Sequence, residues 1–264
     1  MRVVVNQKKM VHYLLIYFLI ISQGSILYKQ YQDWFYVITL ILFSIIYVIN
    51  TKGILKDRDY FLGVGILLFS MFISFVATSG SLGIPSILNI TSRFLFIYII
   101  YDYDRYNFCE RYIKLIAFLA EVSLVLFFIQ MINPSIIMSV LPRYAVGNQI
   151  YYGTIFYTMA LNHATRNVGV FAEPGLYQIV LSSAIFMLLF MDEKINIKHN
   201  KKKKYLIVFF LALITAQSTT GYISGIILIS IFFISRQTKE HQKIKRWSII
   251  FVSLFLVWDL SKGT

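Results

Sequence analysis

Residues 60–77 read YFLGVGILLFSMFISFVA, eighteen positions without one charged side chain. A helix needs about 20 predominantly apolar residues to cross the roughly 30 Å hydrocarbon core of a bilayer, and this stretch has that length and polarity. Just before it stand Lys52, Lys56 and Arg58. The same alternation of charged cluster and uncharged apolar run, each run about 14 to 20 residues, recurs along the chain.

Extended in both directions, the pattern predicts helices near 10–27, 34–49, 60–77, 84–101, 112–132, 174–191, 205–216, 222–235 and 247–260. The expected fold is all-α: one polytopic transmembrane domain over 1–264, a bundle of about nine helices. The first apolar stretch is long enough to span and has no small-residue cleavage site after it, so it reads as a retained helix. The seventh and eighth helices are short, and only Gln217-Ser218-Thr219-Thr220-Gly221 separates them. A tight pair of half-buried helices is the alternative there.

Composition agrees. Hydrophobic residues make up 58% of the 264 and aromatics 17%, against roughly 45–50% apolar in soluble domains, and the mean hydropathy is +0.69. The net charge of +13 does not imply nucleic acid, because a basic DNA binder puts its cations on a solvated face beside a soluble core. Here they fall in short loops. Twenty of the 25 Lys and Arg lie in alternate loops, including basic loops at about 192–204 and 236–246. Cytoplasmic loops carry that excess, which puts the N-terminus in the cytoplasm. The run Lys201 to Lys204 reads as a topological anchor or as a contact for anionic lipid. Cys109 is the lone cysteine and falls in an expected cytoplasmic loop, so no intrachain disulfide forms.

The long segment 133–170 falls on the outer face. It holds Tyr144, Tyr151, Tyr152 and Tyr157 with Arg143, His163 and Arg166. Tyrosines at this depth form an interfacial belt, or they stack on sugar rings while the arginines meet phosphate through paired, charge-assisted hydrogen bonds.

Arg166-Asn167-Val168-Gly169-Val170-Phe171-Ala172-Glu173-Pro174-Gly175 leads from this segment into the sixth expected span. It resembles the O-antigen polymerase and ligase family, whose members carry an arginine, a glycine, a hydrophobic pair, an acidic residue and a proline opening a helix. Gln217-Ser218-Thr219-Thr220-Gly221 resembles the same family's serine-containing turn, with Thr219 where relatives carry a basic residue. The likeness covers about 100 residues, 133–235. The chain ends soon after its ninth expected span, ahead of the second large outer loop of family members, and is therefore expected to be a truncated reading of a longer protein or a degenerate copy.

The resemblance implies a bacterial inner-membrane protein of the cell envelope, acting on undecaprenyl-diphosphate-linked oligosaccharide at the outer face. A polymerase of O-antigen, capsule or exopolysaccharide passes one lipid-linked chain onto another repeat unit, and a ligase passes it to a lipid acceptor. Both are glycosyltransferases without metal or cofactor, and their implied partners are membrane lipids, a flippase and a chain-length regulator. Such chemistry needs cations for the departing diphosphate and a base for the acceptor hydroxyl. Arg166 and Arg143 fit the first need, and Glu173 or His163 the second. Ser218, Tyr151 and Tyr152 complete the expected substrate contacts. Glu173 also suits a structural role, because a carboxylate just before a first-turn proline favours the positive end of a helix.

Two ionisable residues fall within expected spans. Arg93 and Glu121 lie roughly 12 and 14 Å from the inner ends of consecutive helices at the usual rise of about 1.5 Å per residue. At such depth an isolated charge is costly, so they form a buried ion pair or line a polar cavity that holds substrate. There is no phosphate-gripping glycine loop, no metal-spaced His or Cys set and no nucleophile elbow. Asp102-Tyr103-Asp104, beside Arg105, reads as a solvated turn. A transporter or flippase of lipid-linked glycans is the reading from another class. It would show two similar halves with broken helices, and the sequence has none.

Overall fold

An apolar helix stops only where something competes for its backbone, and in the first expected span the competitor acts at Gly24. In the computed structural model, which describes residues 7–49, 58–77, 84–191 and 195–235, α1 covers Gln7–Ile21 and α2 covers Ile26–Gln30. Between them Gly24 takes φ +132, where L side chains are strained. Its carbonyl accepts the Ala172 N–H at 3.0 Å, and Ser25 forms an isolated β-bridge with Phe171. The expected single helix over 10–27 is therefore two.

The described residues fall into two compact units. The first holds α1, most of α2, α3 (Gln32–Ile49), α4 (Arg58–Ala77) and α5 (Ile84–Tyr103). Rings lock it internally. Phe18 stacks on Phe35 at 5.5 Å and meets Phe96 edge-on, while Tyr60 lies 4.7 Å from Tyr98 and donates from its hydroxyl to the Phe94 carbonyl. His12 is fully buried with Nε2 against the Ile100 carbonyl at 3.0 Å. Leu62, Ile66, Phe69, Ile73 and Val76 stand exposed along one side of α4, an apolar stripe of the kind that marks a protein or membrane contact. Asp104 accepts from the Asn107 side chain and Arg105 lies over Tyr101 in the turn after α5.

The second unit contains Gly24–Ile26 and the rest of the described chain. Its axis is α6, Phe108–Ile132, whose 25 residues extend about 37 Å. This helix begins four residues earlier than expected, so Cys109 is not in a loop but buried in the first turn, its Sγ 3.9 Å from Met191 Sδ. α8 (Pro174–Phe190) runs antiparallel to α6: Tyr112 Oη meets Ser183 Oγ at 2.8 Å, and Ser123 Oγ meets Tyr177 Oη at 2.6 Å. α10 (Thr219–Ser235) runs parallel to α8, joined by Gln178 to Thr220 and by Ser182 to Ser224, both at 2.8 Å. Gly221 permits this approach, since a Cβ there would come within 2.4 Å of Gln178 Oε1. α9, His199–Ala216, ends at Gln217 in the left-handed conformation and turns back into α10, which is the helical hairpin anticipated for the short pair. Lys201 to Lys204 belong to the first turns of α9 and not to a loop.

Segment 133–170, expected as an outer loop, is folded. Asn133 caps α7 (Pro134–Val140), accepting the Ser135 N–H. A three-stranded antiparallel sheet follows, β1 (Arg143–Val146), β2 (Gln149–Gly153) and β3 (Thr158–Ala160), in the order β1-β2-β3. Gly147 at φ +57 opens the two-residue turn with Asn148, the position where such hairpins favour glycine. A small apolar core of Phe127, Ile137, Tyr157 and Met159 seats α7 and the sheet on the last turns of α6. The chain is thus mostly helical, with this sheet as an addition to the all-α expectation.

Two helices among the described residues, at Arg58–Val76 and Phe108–Ile132, are long and apolar enough to cross a membrane by length and composition. The ninth expected span and the basic loop at 236–246 lie outside the described residues.

Candidate functional site

The buried polar cluster of the second unit is built around Asn167. Its backbone N–H donates to the Thr215 carbonyl at 2.9 Å. Its Nδ2 donates to Ser123 Oγ at 3.3 Å and to Thr215 Oγ1 at 3.2 Å, and its Oδ1 accepts the Gly169 N–H at 3.0 Å. One fully buried amide thus ties α6, α9 and its own loop, and Ser123 passes the connection to Tyr177 on α8. A buried amide is stable only when such partners are present. Gly169 takes φ +59, and a Cβ there would lie 2.8 Å from the Tyr177 ring, so glycine is required at this point of the motif.

The start of the motif is held from α6. Gln130 donates to the Ala164 carbonyl at 2.6 Å and accepts from the Tyr157 hydroxyl at 2.7 Å. The Thr158 N–H donates to the Gly169 carbonyl at 2.7 Å, which fastens β3 to the motif loop. Thus the backbone of 164–172 is fixed along its length.

Arg166 follows Ala164 by two residues and immediately precedes the buried Asn167, and its own side chain is partly exposed. Among the described residues no carboxylate or hydrogen-bond acceptor is seen on its guanidinium, and the same holds for Arg143, which stands exposed on β1. From Val122 to Ala172 the sequence carries no Asp or Glu, so nothing in this segment neutralises the two arginines. His163 closes a 3-10 turn (Leu161–His163) and is partly exposed.

Glu173 is exposed at the N-cap of α8, with φ −137 and ψ 139, but its side chain makes no capping hydrogen bond. It therefore stands at the position expected of it, before the first-turn proline, where its charge faces the positive end of α8 without a capping bond. Pro174 does occupy the first turn, as its missing N–H allows. Ser218 lies in the α9–α10 turn, 3.2 Å from Thr220 Oγ1. The two stretches singled out in the sequence are linked through neighbouring residues: 166–175 meets α9 through Asn167 and Thr215, two residues before the 217–221 turn, and that turn meets α8 through Thr220 and Gln178, three residues after the motif.

The tyrosines divide. Tyr151 is 1% exposed and its hydroxyl donates to Gln149, which leaves its ring no face for a sugar. Tyr157 is likewise enclosed. Tyr152, on the other side of β2, is partly exposed. Alternation along the strand separates these neighbours, a signal the sequence held but the loop reading did not use.

Arg93 and Glu121 each take a partner within their own unit. The Arg93 guanidinium lies 4.7 Å from the Tyr28 ring centroid, and Glu121 accepts from Lys204 at 2.9 Å. The lysine run at the start of α9 thus supplies the counter-ion of Glu121, in place of the expected Arg93. Glu110 receives Lys114 and the Asn196 N–H at the opposite end of α6. No group of His, Cys, Asp and Glu with the makings of a metal site occurs among the described residues. Across known proteins, no family model, no curated protein and no solved structure matches this chain.

Proposed function

We propose that the chain is a polysaccharide polymerase of the bacterial inner membrane, elongating O-antigen, capsule or exopolysaccharide from undecaprenyl-diphosphate-linked repeat units at the outer face. In this reading about nine helices cross the membrane, the N-terminus is cytoplasmic, and α6 is the full-length span of the second unit. The observation that supports it is the junction of residues 166–175 with the end of α9 at Thr215, just before the 217–221 turn, because the family resemblance rests on these two stretches.

Distance along α6 gives that junction a depth. Ser123, which meets Asn167, lies nine residues before Ile132, or about 14 Å along the axis. α8, α9 and α10 contain 17, 18 and 17 residues, about 25 Å each and shorter than α6. The α9–α10 hairpin then rises from the cytoplasmic side and turns within the membrane, and the 133–173 segment descends to meet it. A polar floor below the outer surface suits a donor whose diphosphate sits at the headgroups and whose isoprenoid chain lies in lipid.

The chemistry follows from two arginines that meet no carboxylate among the described residues. Arg166 and Arg143 hold the diphosphate and stabilise the charge that grows on it as the bond from the sugar C1 to its phosphate oxygen breaks. The acceptor hydroxyl oxygen forms the new bond to C1, and its proton passes to Glu173 or His163. Ser218 and Tyr152 contact the sugars.

The test is deletion of the encoding gene in its own host and analysis of envelope polysaccharide by gel ladder. The expected result is loss of long chains with single repeats remaining on acceptor lipid, restored by the wild-type chain and not by Arg166→Ala at equal membrane abundance. Accumulation of long lipid-linked polymer would instead indicate a ligase, repeat units trapped on the inner face would indicate a flippase, and full-length ladders with Arg166→Ala would remove Arg166 from the site.

A further inference from the structure

The small sheet has two turns of opposite chemistry. Between β1 and β2 stand Gly147 and Asn148, both exposed and followed by exposed Gln149, the residues that water-facing turns select. At the far end of β2, about 17 Å away at the usual strand rise, the turn is Thr154-Ile155-Phe156-Tyr157. There Ile155 is 45% and Phe156 41% exposed. Two exposed apolar side chains at the tip of a hairpin are unfavourable in water and favourable in lipid.

Two backbone N–H groups of this turn find partners within it. The Thr154 N–H donates to the Tyr157 carbonyl at 2.7 Å, and the Phe156 N–H donates to Thr154 Oγ1 at 3.2 Å. Non-helical backbone tolerates membrane depth only when its polar groups find partners in the protein. Position agrees: the Phe156 ring stands 6.2 Å from Phe118, edge to face. Phe118 lies fourteen residues before Ile132, so the tip reaches about 21 Å down α6 from that end, past its midpoint. Between that end and the tip, Val125 and Phe128 of α6 are also exposed.

We propose that the β2–β3 turn is a re-entrant hairpin, with Ile155 and Phe156 lying among lipid acyl chains while Gly147 and Asn148 stay in water. This rests on α6 being a membrane-crossing helix, as in the proposed function, but on no part of the glycan chemistry. The sheet then stands along the bilayer normal, and the chain anchors its partly exposed arginine segment by an apolar tip inserted from the same side.

The test uses the full chain with Cys109→Ala, carrying Ile155→Cys, Phe156→Cys or Asn148→Cys in turn. In native membrane vesicles of both orientations, a membrane-impermeant maleimide should modify Asn148→Cys readily and the other two at least about tenfold more slowly, because reaction needs the solvated thiolate. In phosphatidylcholine vesicles, a fluorophore attached under denaturing conditions at residue 155 or 156 and refolded should be quenched more by a nitroxide at mid-chain than by one at the headgroup. Ile155→Cys and Phe156→Cys reacting as fast as Asn148→Cys would overturn the proposal. Slow reaction without mid-chain quenching would overturn it too, and would assign the tip to a protein partner. Neither readout depends on glycan elongation, so loss of the polymerase reading with both depth signals intact would leave the hairpin standing.

Discussion

Gly169→Ala is the substitution whose effect the structure defines most sharply. The residue sits at φ +59, and an added Cβ would meet three atoms of the Tyr177 ring at 2.8 to 2.9 Å. That ring is 2% exposed and its hydroxyl is held by Ser123 at 2.6 Å, so it has little freedom to retreat. The left-handed conformation alone costs an L residue about 1 to 2 kcal/mol. Overpacking a closed core costs about 1 to 3 kcal/mol more. The expected destabilisation is therefore about 3 kcal/mol, near a hundredfold in the unfolding equilibrium at about 1.4 kcal/mol per tenfold. Gly147→Ala supplies the control, since its φ is +57 but no atom lies within 4 Å of the added Cβ, and it should lose only the conformational part, about 1 kcal/mol. Equilibrium unfolding of the purified chain in mixed micelles compares the two. Equal losses would refute the reasoning, because the Tyr177 ring would then not lie against the motif loop.

Gln130→Leu should cost about 1 to 3 kcal/mol in the same assay, because it strands the buried Tyr157 hydroxyl, whereas Gln130→Leu with Tyr157→Phe should recover much of the loss. Arg166→Lys should retain part of the elongation that Arg166→Ala loses, since an ammonium keeps the charge without the fork, and equal ladders from Lys and Ala would show that charge is irrelevant there. A double-mutant cycle on Glu121→Gln and Lys204→Gln should give a measurable favourable coupling, since the two side chains meet at 2.9 Å, and a coupling indistinguishable from zero would show that the pair adds nothing to stability.

How much was legible in the sequence depends on whether the deciding partner is near or far along the chain. Expected boundaries for the helices at 34–49, 60–77, 84–101 and 174–191 agree with α3, α4, α5 and α8 within a few residues, because uncharged length and flanking charge are local signals. The break after Ile21 was not legible. Gly24 is a weak signal alone, and what holds it open is Phe171 and Ala172, some 147 positions later. The sheet carried a local signal in Gly147-Asn148 amid β-forming Tyr, Ile and Thr, but a loop reading of 133–170 passed over it. Within the motif, Arg166, Gly169 and Glu173 drew attention as residue types. The amide that holds them, Asn167, makes its decisive bonds to Ser123 and Thr215, and such partners are visible only in three dimensions. Similarly, Glu121 was matched to Arg93 by depth alone, while the flexible stem of Lys204 brings a cation from the start of another helix.

The parallel run of α8 and α10 has an electrostatic consequence. Gln178 and Thr220, each in the opening turns of its helix, are hydrogen-bonded at 2.8 Å, so Pro174 and Thr219 begin their helices side by side. Each helix start carries about half a positive charge from its aligned peptide dipoles, and α9, ending at Ala216 beside them, offsets only one of the two. The backbone thus holds a fixed positive potential at the paired starts of α8 and α10 that no side-chain substitution removes. In a medium of low dielectric constant that field reaches further than in water.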